Sequence, residues 1–359
     1  MARQHNFSAG PAALPEQVVR DLGSPLLEFE DAGAGIMEIS HRSKHFDEVI
    51  QRTEASLRTL LSIPENYTVL FLQGGASLQF TMAPMNLVSA ERTMGYLLTG
   101  HWANRAHNEA ERLPFDAPII WDGKSQDYTN LPPNDLDAST HWVHYTSNNT
   151  IYGTQFKALP TQSNRLVADM SSDIASKPID VARHAVIYAG AQKNLGPSGV
   201  TLAILSPEAI EASRVQHKLP SMLDYSAQAD KGSMLNTPNT FGIFALGRVL
   251  KWLEQQGGLE VIEARNSAKA NLLYQELDGT DFWSTAVENS VRSHMNVTWS
   301  IHDSALEATF VREAQESGLL GLKGHRLIGG LRASIYNACP EESVAALVSF
   351  MRDFERRYG

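Results

Sequence analysis

The chain has 359 residues, 43% of them hydrophobic, which suffices for a sizeable core in two domains or in one large domain with an appendage. A formal net charge of −10 and a pI of about 5.6 argue against a general surface for nucleic acid or anionic membrane, so any anionic ligand has to be met by a local cluster of positive groups. One cysteine, Cys339, excludes an intrachain disulfide and a multi-cysteine metal site, and neither Met1-Ala2-Arg3-Gln4-His5-Asn6 nor any later run has signal-like or membrane-spanning apolar length; the expectation is a cytoplasmic protein without a metal.

In chain order, Val69 to Leu72 reads as a strand that runs into Gly74-Gly75-Ala76-Ser77, with a helix from about Ser77. Backbone N–H groups at such a turn can hold a phosphate, although a plain strand-to-helix turn has the same pattern. Met94 to Leu98 is the next strand and a helix starts at His101. Trp142 to Tyr145, Leu166 to Ala168, Ala185 to Tyr188 and Val200 to Leu205 follow. The alternation predicts an α/β domain with a mainly parallel sheet covered on both faces. A helical pattern from Phe241 to Gln256 breaks at Gly257-Gly258 and resumes from Leu259 to Leu277. The large domain is therefore read as residues 16–257, and a smaller α+β domain as 258–359 together with 1–15. Within the latter come a strand from Met295 to Ile301, a helix from Ala305 to about Glu316 and a β-like return through Gly330 to Tyr336. A last helix shows Val344, Leu347, Val348, Met351 and Phe354 on one face.

Two strand ends carry chemistry. Lys193 sits alone in Ala189-Gly190-Ala191-Gln192-Lys193-Asn194-Leu195-Gly196-Pro197-Ser198-Gly199, on the connection between two apolar runs. Glycines and a proline there let the backbone approach a ligand, and an amine held that way can condense with an aldehyde. A hairpin with a polar tip is the plain alternative. Asp169 ends the run Arg165-Leu166-Val167-Ala168, where α/β folds make ligand contacts. Pyridoxal phosphate needs a carboxylate beside its pyridine nitrogen, and Asp169 could supply it. Lys177, directly before Pro178, reads as a surface or turn lysine.

Val167-Ala168-Asp169-Met170-Ser171-Ser172 and Tyr188-Ala189-Gly190-Ala191-Gln192-Lys193-Asn194 resemble the phosphoserine aminotransferases, fold-type I pyridoxal-phosphate enzymes of the class V aminotransferase group. The resemblance runs from end to end. It includes Phe7-Ser8-Ala9-Gly10-Pro11-Ala12, Ser40-His41-Arg42-Ser43, Phe71-Leu72-Gln73-Gly74-Gly75-Ala76-Ser77, Asn236-Thr237-Pro238-Asn239-Thr240-Phe241 and Gly324-His325-Arg326-Leu327-Ile328-Gly329-Gly330-Leu331-Arg332-Ala333-Ser334.

The resemblance implies roles residue by residue. Lys193 is the catalytic lysine and Asp169 the partner of the ring nitrogen. Gly75, Ala76, Ser77 and Gln192 meet the cofactor phosphate, Trp102 stacks on the ring, and Thr150 bonds the ring hydroxyl. Asn236 and Thr237 reach the phosphate from the neighbouring subunit of a homodimer with shared active sites. Arg332 anchors the substrate α-carboxylate. His41, Arg42, His325 and Arg326 take the substrate phosphate or the distal carboxylate, His41 and Arg42 coming from the partner, and Ser8 also lines the substrate site.

The implied reaction moves the amino group of glutamate to 3-phosphohydroxypyruvate, giving phosphoserine and 2-oxoglutarate on the way to serine; 4-phosphohydroxythreonine, in vitamin B6 synthesis, is a further candidate substrate. Two departures from the family stand out: the phosphate turn lacks an arginine, and Pro238-Asn239 stands where two prolines are common. The rival readings are another class V enzyme, including a desulfurase that would need a mobile cysteine, and a non-catalytic α/β module for a phosphorylated metabolite.

Overall fold

The computed structural model describes residues 3–134, 136, 139–161, 165–216 and 219–359. The chain opens with strand β1 (His5–Asn6), a short helix α1 (Glu16–Asp21) and helix α2 (Lys44–Leu61). In α2 the buried residues Phe46, Val49, Ile50, Thr53, Leu57 and Leu61 form one stripe; Ser43 caps its start by accepting from the Phe46 N–H, and left-handed Ser62 ends it.

There follow β2 (Thr68–Leu72), α3 (Gly75–Leu87), β3 (Met94–Leu98), α4 (His101–Ala110), β4 (Ile119–Asp122), β5 (Trp142–Thr146), β6 (Leu166–Asp169), β7 (His184–Gly190) and β8 (Thr201–Leu205). Helix α3 starts at Gly75 rather than near Ser77, because Gly74 and Gly75 both take the positive φ that turns the chain from strand into helix. These strands make a seven-stranded sheet in the order β2-β8-β7-β6-β5-β3-β4. Pairing is parallel from β7 through β4. Strand β8 is antiparallel to both β7 and β2, so β2 again runs with the majority.

Helices α5 (Pro207–Val215), α6 (Tyr225–Ala229), α7 (Thr240–Gln255) and α8 (Leu259–Asp278) come next. Strands β5, β6, β7 and β8 are buried at every residue, because helices cover both faces of the sheet. On one face Phe71, Leu97, Ile187 and Ile204 pack with Leu57 of α2 and with Leu246 and Leu250 of α7. On the other Leu98, Val167, Tyr188 and Leu205 pack with Phe80 and Met82 of α3 and Ala106 of α4. Each large side chain so buried contributes about 1.5–3 kcal/mol.

The remainder is β9 (Trp283–Ser284), β10 (Asn296–Ile301), α9 (Glu307–Glu316), β11 (Leu319–Leu320), β12 (Leu331–Ser334) and α10 (Glu341–Tyr358). Antiparallel β12-β10-β9 forms a second sheet, and β1 pairs in parallel with β11. A separate core joins Phe7 to Leu273, Trp283, Val297, Phe310, Leu347 and Phe354. The buried face of α10 carries the five apolar residues expected of it. Helix α8 starts against the large sheet with Leu259 and Ile262 and ends in this second core with Leu273 and Leu277.

Candidate active site

Because β2, β3, β5, β6 and β7 all run the same way, their carboxyl ends share one edge of the sheet. That edge gathers the turn at Gly74-Gly75, the start of α4 at His101 and Trp102, the loop Asn148–Thr150, Asp169 and the Lys193 turn. Thr146 and Tyr188 flank Asp169 in register on β5 and β7. Ligand sites of open α/β sheets form outside such strand ends.

Lys193, partly buried, donates from Nζ to Thr150 Oγ1 at 3.0 Å and stands 5.8 Å from the centre of the Trp102 ring. Removal from water lowers its pKa to about 8; the Asp169 charge opposes that shift and Arg332 adds to it. Asp169 is buried, and its Oδ1 accepts from the Ser171 N–H (3.0 Å) and the Ser171 hydroxyl (2.6 Å). Burial raises its carboxyl above the usual range, while Lys193 and the two Ser171 bonds pull it back. Ser171 Oγ in turn accepts from the Gly190 N–H at 3.0 Å, which ties the end of β7 to the acid. Ser147 hydrogen-bonds the Asp169 carbonyl and the Asp173 carboxylate from behind.

At the glycine turn, Gly75, Ala76 and Ser77 form the first turn of α3, whose N–H groups have no partner inside the helix. A Cβ built on Gly75 meets nothing within 4 Å, whereas one on Gly74 would strike Leu78 at 2.5 Å. The turn is therefore closed behind and open in front. Asn236 and Thr237 are exposed, and the Thr237 carbonyl accepts from Gln73 Nε2 at 3.2 Å beside this turn. Gln192 is partly buried and its carbonyl accepts from the Ala12 N–H at 2.9 Å. The N-terminal segment crosses the lysine here: a Cβ on Gly10 would lie 3.3 Å from Lys193 Cγ.

Arg332 reaches the site from the second sheet. It pairs with Thr298 across β12 and β10, and its guanidinium donates to the Thr150 carbonyl at 3.2 Å while its Nε has no partner. Thr150 thus touches the amine through its hydroxyl and the guanidinium through its carbonyl. His325 lies near Arg332, and Arg326 and His101 complete the group: each of these cations depresses the His325 pKa after burial does. Ser8 packs against Gly321, where an added Cβ would sit 2.8 Å from its Oγ. His41 and Arg42 stand apart, in the turn before α2, where the Arg42 N–H donates to Ser40 Oγ. Within one chain they make no hydrogen bond or ion pair with Lys193, Asp169 or Arg332 among the described residues.

Ser171, Tyr336, Asn148 and His101 carried no site role in the sequence reading. Ser171 was legible, since a serine two residues after an aspartate is an Asx-turn pattern. Tyr336 bonds the Ala9 carbonyl at 2.8 Å and accepts from Asn296, which Asn148 also contacts at 2.7 Å. No local pattern announces a network drawn from such distant segments.

The residues fit pyridoxal phosphate: an amine set between Thr150 and the Trp102 ring, an enclosed carboxylate bonded on one oxygen, an unpartnered Trp102 Nε1 and an open helix start with its N–H groups free. Among the described residues no helix is long and apolar enough to cross a membrane.

Residues 4–347 match the model of the family described as aminotransferase class-V. The phosphoserine aminotransferase of Desulfotalea psychrophila is 48% identical over 355 residues, 98% of each chain. That of Geobacillus kaustophilus is 48% identical over 362 residues, 100% of each. Among solved structures, phosphoserine aminotransferase from Bacillus circulans subsp. alkalophilus aligns at a TM-score of 0.95 with 43% identity over 99% of both chains. The PLP-bound phosphoserine aminotransferase of Trichomonas vaginalis aligns at 0.89 with 35% identity, over 98% of this chain and 100% of that one.

Proposed function

From the premise that this chain belongs to the class-V aminotransferase family, we propose that it transfers the amino group of glutamate to 3-phosphohydroxypyruvate, giving phosphoserine for serine synthesis. The observation that carries the reading is the double contact of Thr150, with the Lys193 amine on its hydroxyl and the Arg332 guanidinium on its carbonyl. An α-amino acid has its nitrogen and carboxylate on one carbon, so a site for it needs a nucleophilic amine and a carboxylate anchor this near to each other.

Bound pyridoxal phosphate supplies an aldehyde for amines and a ring that draws electrons from the substrate α-carbon. Gly75, Ala76 and Ser77 hold its phosphate with helix N–H groups, aided by Gln192 and by Asn236 and Thr237 of the partner subunit in a homodimer. Trp102 covers one face of the ring, Thr150 meets its hydroxyl, and Asp169 keeps the proton on its nitrogen. Lys193 Nζ would carry a proton from the α-carbon of glutamate to the cofactor carbon that receives the nitrogen, and in the second half of the reaction would carry one from that carbon to the α-carbon of the keto acid. Arg332 grips the α-carboxylate common to both substrates. His325 and Arg326, with His41 and Arg42 brought by the partner, receive the distal phosphate or carboxylate, and Ser8 lines the same side. This reading divides the chain into a cofactor domain, 16–257, and a small domain, 258–359 with 1–15, in the cytoplasm.

The test is the absorbance band of the cofactor-loaded protein, followed through glutamate and then 3-phosphohydroxypyruvate. The expected result is bleaching by the first and restoration by the second. Bleaching without restoration overturns the named acceptor and keeps the aminotransferase; no response to glutamate overturns both.

A further inference from the structure

The roles above leave out the side chain beside Trp102. Gly100 runs so close to the loop after β5 that a Cβ there would stand 2.9 Å from Asn149 Oδ1 and 3.0 Å from the Tyr152 ring, and α4 starts at the very next residue. This close approach fixes the direction of the first turn of α4. Trp102 lies 5.8 Å from Lys193, and its neighbour His101 faces the loop before β12, with its ring centre 6.1 Å from that of His325 and the planes 39° apart. No hydrogen bond or ion pair holds the His101 ring among the described residues, so its N–H is free for a ligand.

We propose that His101 is a specificity-determining residue which, with His325, contacts the phosphoryl end of the phosphorylated keto acid and favours that substrate over glutamate. The inference rests on the proposed reaction and adds a residue to it. Its basis is the difference between the two distal groups. A phosphate monoester carries about −1.5 to −2 charges near neutral pH and three acceptor oxygens, whereas a carboxylate carries a single charge on two oxygens. Two facing imidazoles, each donating over about 2.9 Å, can converge on one oxygen of a tetrahedral group.

The electrostatic setting points the same way. The charged neighbours that act on His101 are Arg105, one turn along α4, and Arg326; on His325 they are Arg332, His101 and Arg326. All are cationic. Burial and then these arginines lower both imidazole pKa values, so an anion seated beside the two rings relieves the repulsion they feel. A dianion offsets the repulsion more fully than a carboxylate does, and it then receives charge-assisted bonds. Arg332 cannot supply this discrimination, because the α-carboxylate it grips is present on both substrates.

The experiment compares the cofactor-loaded wild type with His101→Ala and His101→Gln, reading kcat/KM separately for 3-phosphohydroxypyruvate and for glutamate. In His101→Ala the ratio of the first to the second is expected to fall about tenfold, the size of one hydrogen bond to a charged group. His101→Gln keeps a donor and should recover part of that loss, which a merely structural role would not predict. An unchanged ratio in both variants, whether activity falls for both substrates alike or for neither, overturns the proposal. If the wild type itself fails on the keto acid, the parent reading falls instead and takes this one with it.

Discussion

The two ends of the site are built on opposite terms. At the Lys193 end the groups are enclosed and tied to one another: Asp169 is 5% exposed and held in register by β5 and β7, and Ser171 bonds both Asp169 and Gly190. At the Arg332 end, Arg332 on β12 meets His325 and Arg326 on a loop whose Arg326, Leu327 and Ile328 are exposed, and the positive groups repel one another. Burial at the first end shifts pKa values toward chemistry. Uncompensated positive charge at the second suits it to the anionic groups that the proposed reaction would bring there.

The sharpest break of that contrast is Lys193→Ala. The structure around it should survive, since the lysine is only partly buried and makes a single hydrogen bond. Turnover is expected to fall by about 10⁴-fold or more, the upper range for loss of a positioned proton-transfer group, while the protein still takes up some pyridoxal phosphate. Near-normal turnover would remove the lysine from the chemistry. At the other end, Arg332→Ala should lower kcat/KM about 100-fold for both substrates, as expected when two hydrogen bonds to a charge are lost. If only one half-reaction suffers, the shared-carboxylate role is wrong and the two ends are less alike in their service to both substrates than the geometry suggests.

Much of the enclosed end was legible in the sequence, and little of the open one. The Lys193 turn is punctuated by glycine and proline between uniformly apolar strands, and Asp169 ends such a strand, so local pattern sufficed. The open end is assembled from α4, the loop before β12 and the N-terminal segment, which are far apart in the chain; only family resemblance singled out His325 and Arg326, and nothing singled out His101. The fold divides similarly. Helix α2 was overlooked although its buried residues repeat at helical spacing, because glutamates, arginines and threonines between them dilute the apolar signal. Strand β4 was passed over although Ile119-Ile120-Trp121 is an apolar run; it is short and lies at the edge of the sheet, with its residues only partly buried or exposed.

The pH response tests the enclosed end more gently. Removal from water brings the Lys193 pKa down to about 8, so its reactive neutral form grows as pH rises toward that value. Uptake of pyridoxal phosphate by the cofactor-free protein should therefore quicken about tenfold per unit across pH 6 to 7 and level off above 8, since the neutral fraction follows the titration. The linkage to stability has the same sign. Between about 8 and the usual lysine value near 10.4 the unfolded chain binds more protons, so stability gains with pH across that window. A flat uptake rate from pH 6 to 8 would mean that the amine is already neutral or that Asp169 keeps it charged throughout.

The smallest expected effect separates this site from that of a desulfurase. Cys339 is buried, and burial pushes its thiol up to about 11 although the Lys269 charge pulls the other way. A thiol so far above neutral pH supplies almost no thiolate, the form that attacks. What Cys339 contributes is its carbonyl: Lys269 Nζ donates to the carbonyls of Ile335 (3.0 Å), Tyr336 (2.8 Å) and Cys339 (3.1 Å), clamping the turn between β12 and α10. Cys339→Ser keeps that carbonyl and gives up only a weak S–H contact to the Pro340 carbonyl, 3.9 Å away, which the shorter hydroxyl does not reach. It should cost about 1 kcal/mol of stability at most, as a near-isosteric core change, and leave the aminotransfer rate where it was. A loss of activity without a loss of stability would instead give Cys339 a part in the reaction, and the turn held by Lys269 would have to open to bring its sulfur to the cofactor.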